Sequence, residues 1–163
     1  GGKRAETLTV QTALCRGVAG GRVAGQAIRH VLSLGGRCVV SRVLRDMGLR
    51  PYAGPFDWVY SNPEMVAHCL ADKFATFLDK QQIKAAGNCW GHKTYSPMIG
   101  RGVVFPHHEP SGRDHGLFER SVARFSHIVA SAESKLLVLA FPVANLAELH
   151  SETSGVDAIK LQA

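Results

Sequence analysis

No window of this 163-residue chain comes near the roughly 18 consecutive apolar side chains that a membrane-spanning helix needs, so no membrane span is expected. Also missing is any run of about five basic residues, and the aromatics are not interleaved with basic side chains as a stacking platform for bases would require. The surplus of 19 Lys and Arg over 13 Asp and Glu, a net +6, is therefore diffuse, and nucleic acid is not expected as a partner. Cysteine is sparse: Cys15, Cys38, Cys69 and Cys89 are irregularly spaced and form no C-x-x-C pair. A chain of this length can bury a core without staples, so the expectation is reduced thiols in a cytoplasmic compartment rather than a disulfide framework.

Acidic side chains are nearly absent from the first 44 residues, where Glu6 stands against Lys3, Arg4, Arg16, Arg22, Arg29, Arg37 and Arg42. Such a bias is that of an organelle transit segment, although Gly17, Gly20, Gly21 and Gly25 weaken any continuous helix there. What is present is otherwise globular in composition, 45% hydrophobic and 20% charged with a mean hydropathy near zero. The expected organisation is a basic N-terminal segment over residues 1–29, partly helical, followed by a single domain over 30–163.

Residues 5–29 read as a weak helix, or two short ones parted at Gly20 and Gly21. HVLSLG, residues 30–35, is a short apolar run closed by glycine and predicts a buried strand. Val39, Val40, Val43, Leu44 and Met47 then share one face of a helix that Gly48 ends. Three prolines and a glycine within residues 49–63 predict a loop, with one extended piece over 56–60. Asn62, Pro63 and Glu64 supply a capping side chain, a first-position proline and an acidic first turn to a helix carrying Met65, Val66, Cys69, Leu70, Phe74, Phe77 and Leu78. HKTYSPMI (92–99) and GVVFPHH (102–108) predict a hairpin, with Pro97 confining the first strand to an edge. A long helix follows Pro110 and Ser111, with Leu117, Phe118, Val122, Phe125, Ile128 and Val129 on one face. KLLVLAFPV, residues 135–143, predicts a central buried strand, and Asn145 caps a last helix. The order is α/β: a single three-layer-like domain with a short central sheet flanked by helices.

Cys38 follows Gly35, Gly36 and Arg37 and heads the first predicted helix of the domain. The glycines let the chain turn sharply out of the strand, and the unpaired N–H groups of a helix start, with Arg37 alongside, favour a thiolate. A small buried side chain at a tight turn is the plainer use of the same residue. A nucleophilic thiol needs a base, and His107 and His108 stand at the end of a predicted strand, where side chains tend to face a cleft. The group that orients the imidazole can be drawn from Asp57, shielded between Phe56 and Trp58, or from Glu109 or Asp114. Cys89 and His92 with His107 and His108 make a Cys/His zinc set on paper, but the spacing fits no strong zinc pattern and no metal is expected. SLGGRC is an anion cradle by geometry, yet it lacks both G-x-G-x-x-G and G-K-[ST], and no cofactor is expected.

Taken together, S-L-G-x-x-C on Ser33, Leu34, Gly35 and Cys38, P-F-D-W on Pro55, Phe56, Asp57 and Trp58, F-x-H ending on His107, and R-x-x-x-R-F on Arg120, Arg124 and Phe125 resemble a family of largely bacterial domains of unknown function described as papain-like cysteine peptidases. The resemblance spans about residues 30–143. It implies a cysteine-dependent hydrolase or acyl transferase whose partner is a peptide, protein or amide substrate. In that reading Cys38 is the nucleophile, His107 the base and Asp57 the group orienting the imidazole. N–H groups at the helix start receive the oxyanion, and Gly35, Gly36, Arg37, Phe56, Trp58, His108 and Arg120 shape the binding cleft. The alternative is a non-catalytic module of the same fold that holds a peptide or other ligand in that cleft. Two departures from the pattern stand out. His108 occupies a position that is acidic in the family, leaving the orienting role to Asp57 or Glu109, and the C-G-S-C-W sequence of true papains is absent.

Overall fold

The computed structural model describes residues 22–23 and 25–140 of the chain. Arg22–Val23 (β1) and Gln26–Ala27 (β2) pair antiparallel around Gly25, whose φ of +82 suits a tight turn. This pair replaces the last turns of the helix expected to reach residue 29; residues 5–21 of that helix, and the one capped by Asn145, lie outside the described residues.

His30–Gly35 (β3) is the expected strand. Gly35 and Gly36, at φ +85 and +95, then turn the chain into Cys38–Asp46 (α1). A side chain at either glycine would strike a neighbour, Ser61 Oγ at Gly35 and the Ala140 carbonyl at Gly36. The buried residues of α1 are Val40, Ser41 and Leu44, whereas Val39 and Val43 are 56% and 47% exposed. The helix is thus rotated from its expected apolar face. Ser41 is drawn inward by a 2.7 Å hydrogen bond to Asp57, a partner that hydrophobic periodicity does not register.

Residues 49–62 form the expected loop, without the extended piece over 56–60. Asn62 caps Pro63–Ala71 (α2) by accepting the Met65 N–H at 2.8 Å, as its sequence predicts. The helix does not run on to Leu78. Lys73 and Phe74 take left-handed values, φ +54 and +64, and a short helix restarts at Ala75–Leu78 (α3). Left-handed backbone costs about 1–2 kcal/mol per residue. Burying a phenylalanine ring returns about 1.5–3 kcal/mol, and the break sends both Phe74 and Phe77 into one cluster with Phe56 and Phe125.

The hairpin forms one segment earlier than expected. Ile83–Ala86 (β4) and Cys89–His92 (β5) pair antiparallel about Gly87 and Asn88. The expected first strand is instead the short helix Tyr95–Met98 (α4), in which Pro97 needs no ladder partner and Tyr95 is fully buried against the His92 ring, 4.2 Å between centroids. Of GVVFPHH only Phe105 pairs, in an isolated bridge to Trp90. His115–Ala130 (α5) buries Phe118, Ser121, Val122, Phe125 and Ile128, while the expected Leu117 and Val129 are exposed at its margin.

Lys135–Leu139 (β6) runs parallel to β3, with His30 opposite Lys135 and Ser33 opposite Val138. It was expected to be central and buried. Its one strand partner among the described residues is β3, none of its residues is buried, and Leu137 is exposed, so among the described residues the run lies at an edge; residues 141–143 of the expected strand lie outside them. Val31 and Val138 pack under α1 with Val40, Leu44 and Leu49, whereas Leu32 and Leu34 face the aromatic cluster on the other side. The mixed α/β class therefore holds, with a helix on one face of the parallel pair and the main core on the other. No described helix is long and apolar enough to cross a membrane.

Candidate active site

Asp57 is the hub of the loop that follows α1. Its Oδ1 accepts the Ser41 hydroxyl at 2.7 Å, and its Oδ2 accepts Arg50 Nη1 at 2.6 Å and the Gly54 N–H at 2.8 Å. Both charges are largely dry, the Asp57 side chain 3% and that of Arg50 17% exposed. Among the described residues Asp57 has no hydrogen bond to a histidine, so the carboxylate expected to orient an imidazole directly instead locks the loop to α1. Ser61 completes the lock by accepting the Gly36 N–H and donating to the Leu34 carbonyl, both at 2.8 Å. Trp58, which follows Asp57, is held at φ +62, an outlier for a bulky side chain. Its ring lies under Arg45 of α1 at 5.4 Å and under Arg50 at 6.0 Å, and it meets the His107 ring edge to face at 6.0 Å.

Cys38 is a free, half-buried thiol at the first position of α1. Burial pushes it above the ordinary thiol value, outweighing the downward pull of its own N–H. The sulfur is therefore protonated at neutral pH, contrary to the thiolate expected of a helix start. Arg37 stands at the cap position with no capping hydrogen bond, and the N–H groups of Cys38 and Val39 have no backbone acceptor among the described residues. Cys69, by contrast, is sealed in the core and pushed up to about 12 by burial.

His107 is exposed and lines a cavity of about 200 Å³ together with Cys89, His108, Glu109 and Arg113. His108 is the better fixed of the two histidines. Its Nδ1 lies 3.3 Å from Asp114 Oδ2, and its ring stands edge-on to Phe118 with centroids 5.5 Å apart. Asp114 occupies the cap position of α5 without capping it; its oxygens turn back to the Glu109 N–H at 2.9 Å and to Arg113. The Glu109 N–H, with Arg113 and His108 adding, holds its carboxyl below the usual range against a smaller opposing effect of burial. So of the three candidate acids, Asp114 is the one that meets an imidazole.

The remaining expected residues fall in three places. Gly35, Gly36 and Arg37 form the turn that delivers Cys38. Phe56 is fully buried in the aromatic cluster, which leaves it no face for a ligand. Arg120 is exposed on α5 with no side-chain hydrogen bond or ion pair among the described residues, and Arg124 is the helix arginine that reaches the loop, donating to the Ala53 carbonyl at 2.8 Å. His92 is not available as a metal ligand: Nε2 donates to the Thr76 carbonyl and Nδ1 accepts the N–H groups of Thr94 and Tyr95. Burial pushes its imidazole down to about 4. Sequence reasoning passed over Cys89 as a thiol; the signal that places it was the Gly87-Asn88 turn, which sets Cys89 at the start of a strand facing Pro106.

A thiol at the head of a helix that leaves a strand through two glycines, with a loop bound to that helix, is a layout that suits cysteine hydrolases. Residues 29–102 match the model of a family described as "Putative papain-like cysteine peptidase (DUF1796)". Cys38 and the P-F-D-W residues lie inside the match, while His107, Arg120 and Arg124 lie beyond its end, short of the span the motifs had suggested. Neither the curated proteins nor the solved structures compared with the chain give a match.

Proposed function

We propose that this protein is a cysteine-dependent hydrolase or acyl transferase acting on peptide, isopeptide or side-chain amide bonds, with Cys38 as nucleophile and His107 as its base. The observation that carries the reading is the bridge made by two consecutive loop residues. Asp57 grips Ser41, which shares a helix face with Cys38 three residues earlier, and Trp58 touches His107. Asp57 then acts as a positioning residue through Trp58. Because burial keeps the thiol protonated, His107 takes the proton as sulfur attacks the carbonyl carbon, and returns it to the leaving amine as the thioester forms. In this reading the N–H groups of Cys38 and Val39, which no backbone carbonyl among the described residues accepts, receive the oxyanion. Water then cleaves the thioester in a hydrolase, and a second amine does so in a transferase.

The test is turnover of quenched peptide and isopeptide substrates by the whole chain. Cys38→Ala is expected to abolish it and His107→Ala to lower it by about 10²–10⁴-fold, with the unfolding midpoint unchanged. Turnover that survives Cys38→Ala overturns the reading. The upward shift of the thiol favours one alternative, a non-catalytic module that binds peptide in the same cleft. Saturable peptide binding without turnover, indifferent to Cys38→Ala, is its mark.

A further inference from the structure

The cavity beside His107 holds a thiol of its own. Cys89 is half-buried, and its Sγ–H donates to the Pro106 carbonyl at 3.6 Å across the bridge between Trp90 and Phe105. The same cavity is lined by His108, whose Nδ1 faces Asp114. In the tautomer that donates from Nδ1 to Asp114 Oδ2, the lone pair of the ring lies on Nε2. Phe118 fixes the plane of the ring. Thiol and imidazole thus line one opening that Cys38 does not, and the carboxylate of Asp114 meets the imidazole at Nδ1.

We propose that Cys89, with His108 as its base and Asp114 as the residue positioning that base, is a second thiol site that exchanges with small disulfides of amino-acid thiols. Carbonyl chemistry is disfavoured here because amides next to the sulfur are already spent: Trp90 donates to the Phe105 carbonyl at 3.2 Å and Phe105 donates to that of Trp90 at 2.8 Å. Disulfide exchange builds no oxyanion and needs only a thiolate, an accessible sulfur and a proton acceptor. In the step, the Cys89 proton passes to His108 Nε2 and the Cys89 sulfur bonds to one sulfur of the disulfide. The disulfide S–S bond breaks, and the departing thiolate takes the proton from the imidazolium. The walls choose the class of partner. Arg113 and Glu109 set a cation and an anion on one small cavity, complementary to the carboxylate and ammonium of an amino acid.

The experiment treats the whole chain with cystine, with cystamine (cationic) and with dithiodiglycolate (anionic), and maps mixed disulfides by mass. Cys89 is expected to be modified ahead of Cys38 and Cys69, with cystine fastest. His108→Asn is expected to slow Cys89 about tenfold, and Asp114→Asn to slow it less. Cys38→Ser should leave the rate unchanged, which separates this site from the hydrolase reading. Equal rates at Cys89 in the wild type, His108→Asn and Asp114→Asn would mean exposure alone and would overturn the proposal. Cystine no faster than the other two disulfides would overturn the choice of partner.

Discussion

Asp57 and Asp114 are two carboxylates, one fully buried and one partly, with different partners and different uses. Asp57 sits dry between aromatic neighbours and spends its oxygens on Ser41, Arg50 and the Gly54 N–H. Asp114 stands at a helix start, its side chain 16% exposed, and spends its oxygens on the Glu109 N–H, Arg113 and His108. Shielding made Asp57 the natural choice to orient a histidine, but shielding is also what obliges it to neutralise Arg50. The lesson is that a carboxylate serves whichever cation or donor it cannot leave unpaired.

The widest gap between the two should appear in stability. Asp57→Ala strands the guanidinium of Arg50 in a mostly buried position, and a loss of about 3–5 kcal/mol in urea unfolding is expected. Asp114→Asn weakens contacts to the exposed Arg113 and to His108 without stranding a buried cation, and is expected to cost about 1 kcal/mol; equal costs would erase the contrast. Acid reads the same molecule through a third group, His92. The unfolded chain protonates this imidazole near 6.5 and the folded chain only near 4, so its contribution is whole above pH 6.5 and drains away as the pH falls to about 4. A shift of this size corresponds to about 3 kcal/mol, and His92→Asn should flatten that part of a stability-against-pH curve. Asp114, whose folded value is lowered, loses its contribution only at more acid pH, below the usual carboxylate range. At the thiol the expected change is one of rate: iodoacetamide should label Cys38 with a midpoint at higher pH than it labels the unfolded chain, because burial raises that group. Smallest of all, Asp46→Asn removes the exposed contacts to Arg42 and Arg45 and should move stability by no more than about 0.5 kcal/mol.

Local chemistry was legible where one residue type has one use. The two glycines before Cys38, the Asn62-Pro63 cap and the strand they frame were read at their true positions. Legibility failed where a distant partner decides. Nothing at Lys73 and Phe74 announces a break, because its cause is the ring of Phe125 more than fifty positions on. Val39 and Val43 looked inward until Ser41 found Asp57. In the candidate site the pattern repeats: Cys38 and its turn were visible in S-L-G-x-x-C, whereas the pairing of His108 with Asp114 depends on how the segment before α5 doubles back.

The close approach of Gly36 to the Ala140 carbonyl has a consequence for the order of events in the cell. The turn that presents Cys38 rests against a residue made about a hundred positions later, so a ribosome-bound chain ending short of β6 has the sequence of the turn but not its floor. Cys38 and its turn are therefore brought into place only once β6 has been made.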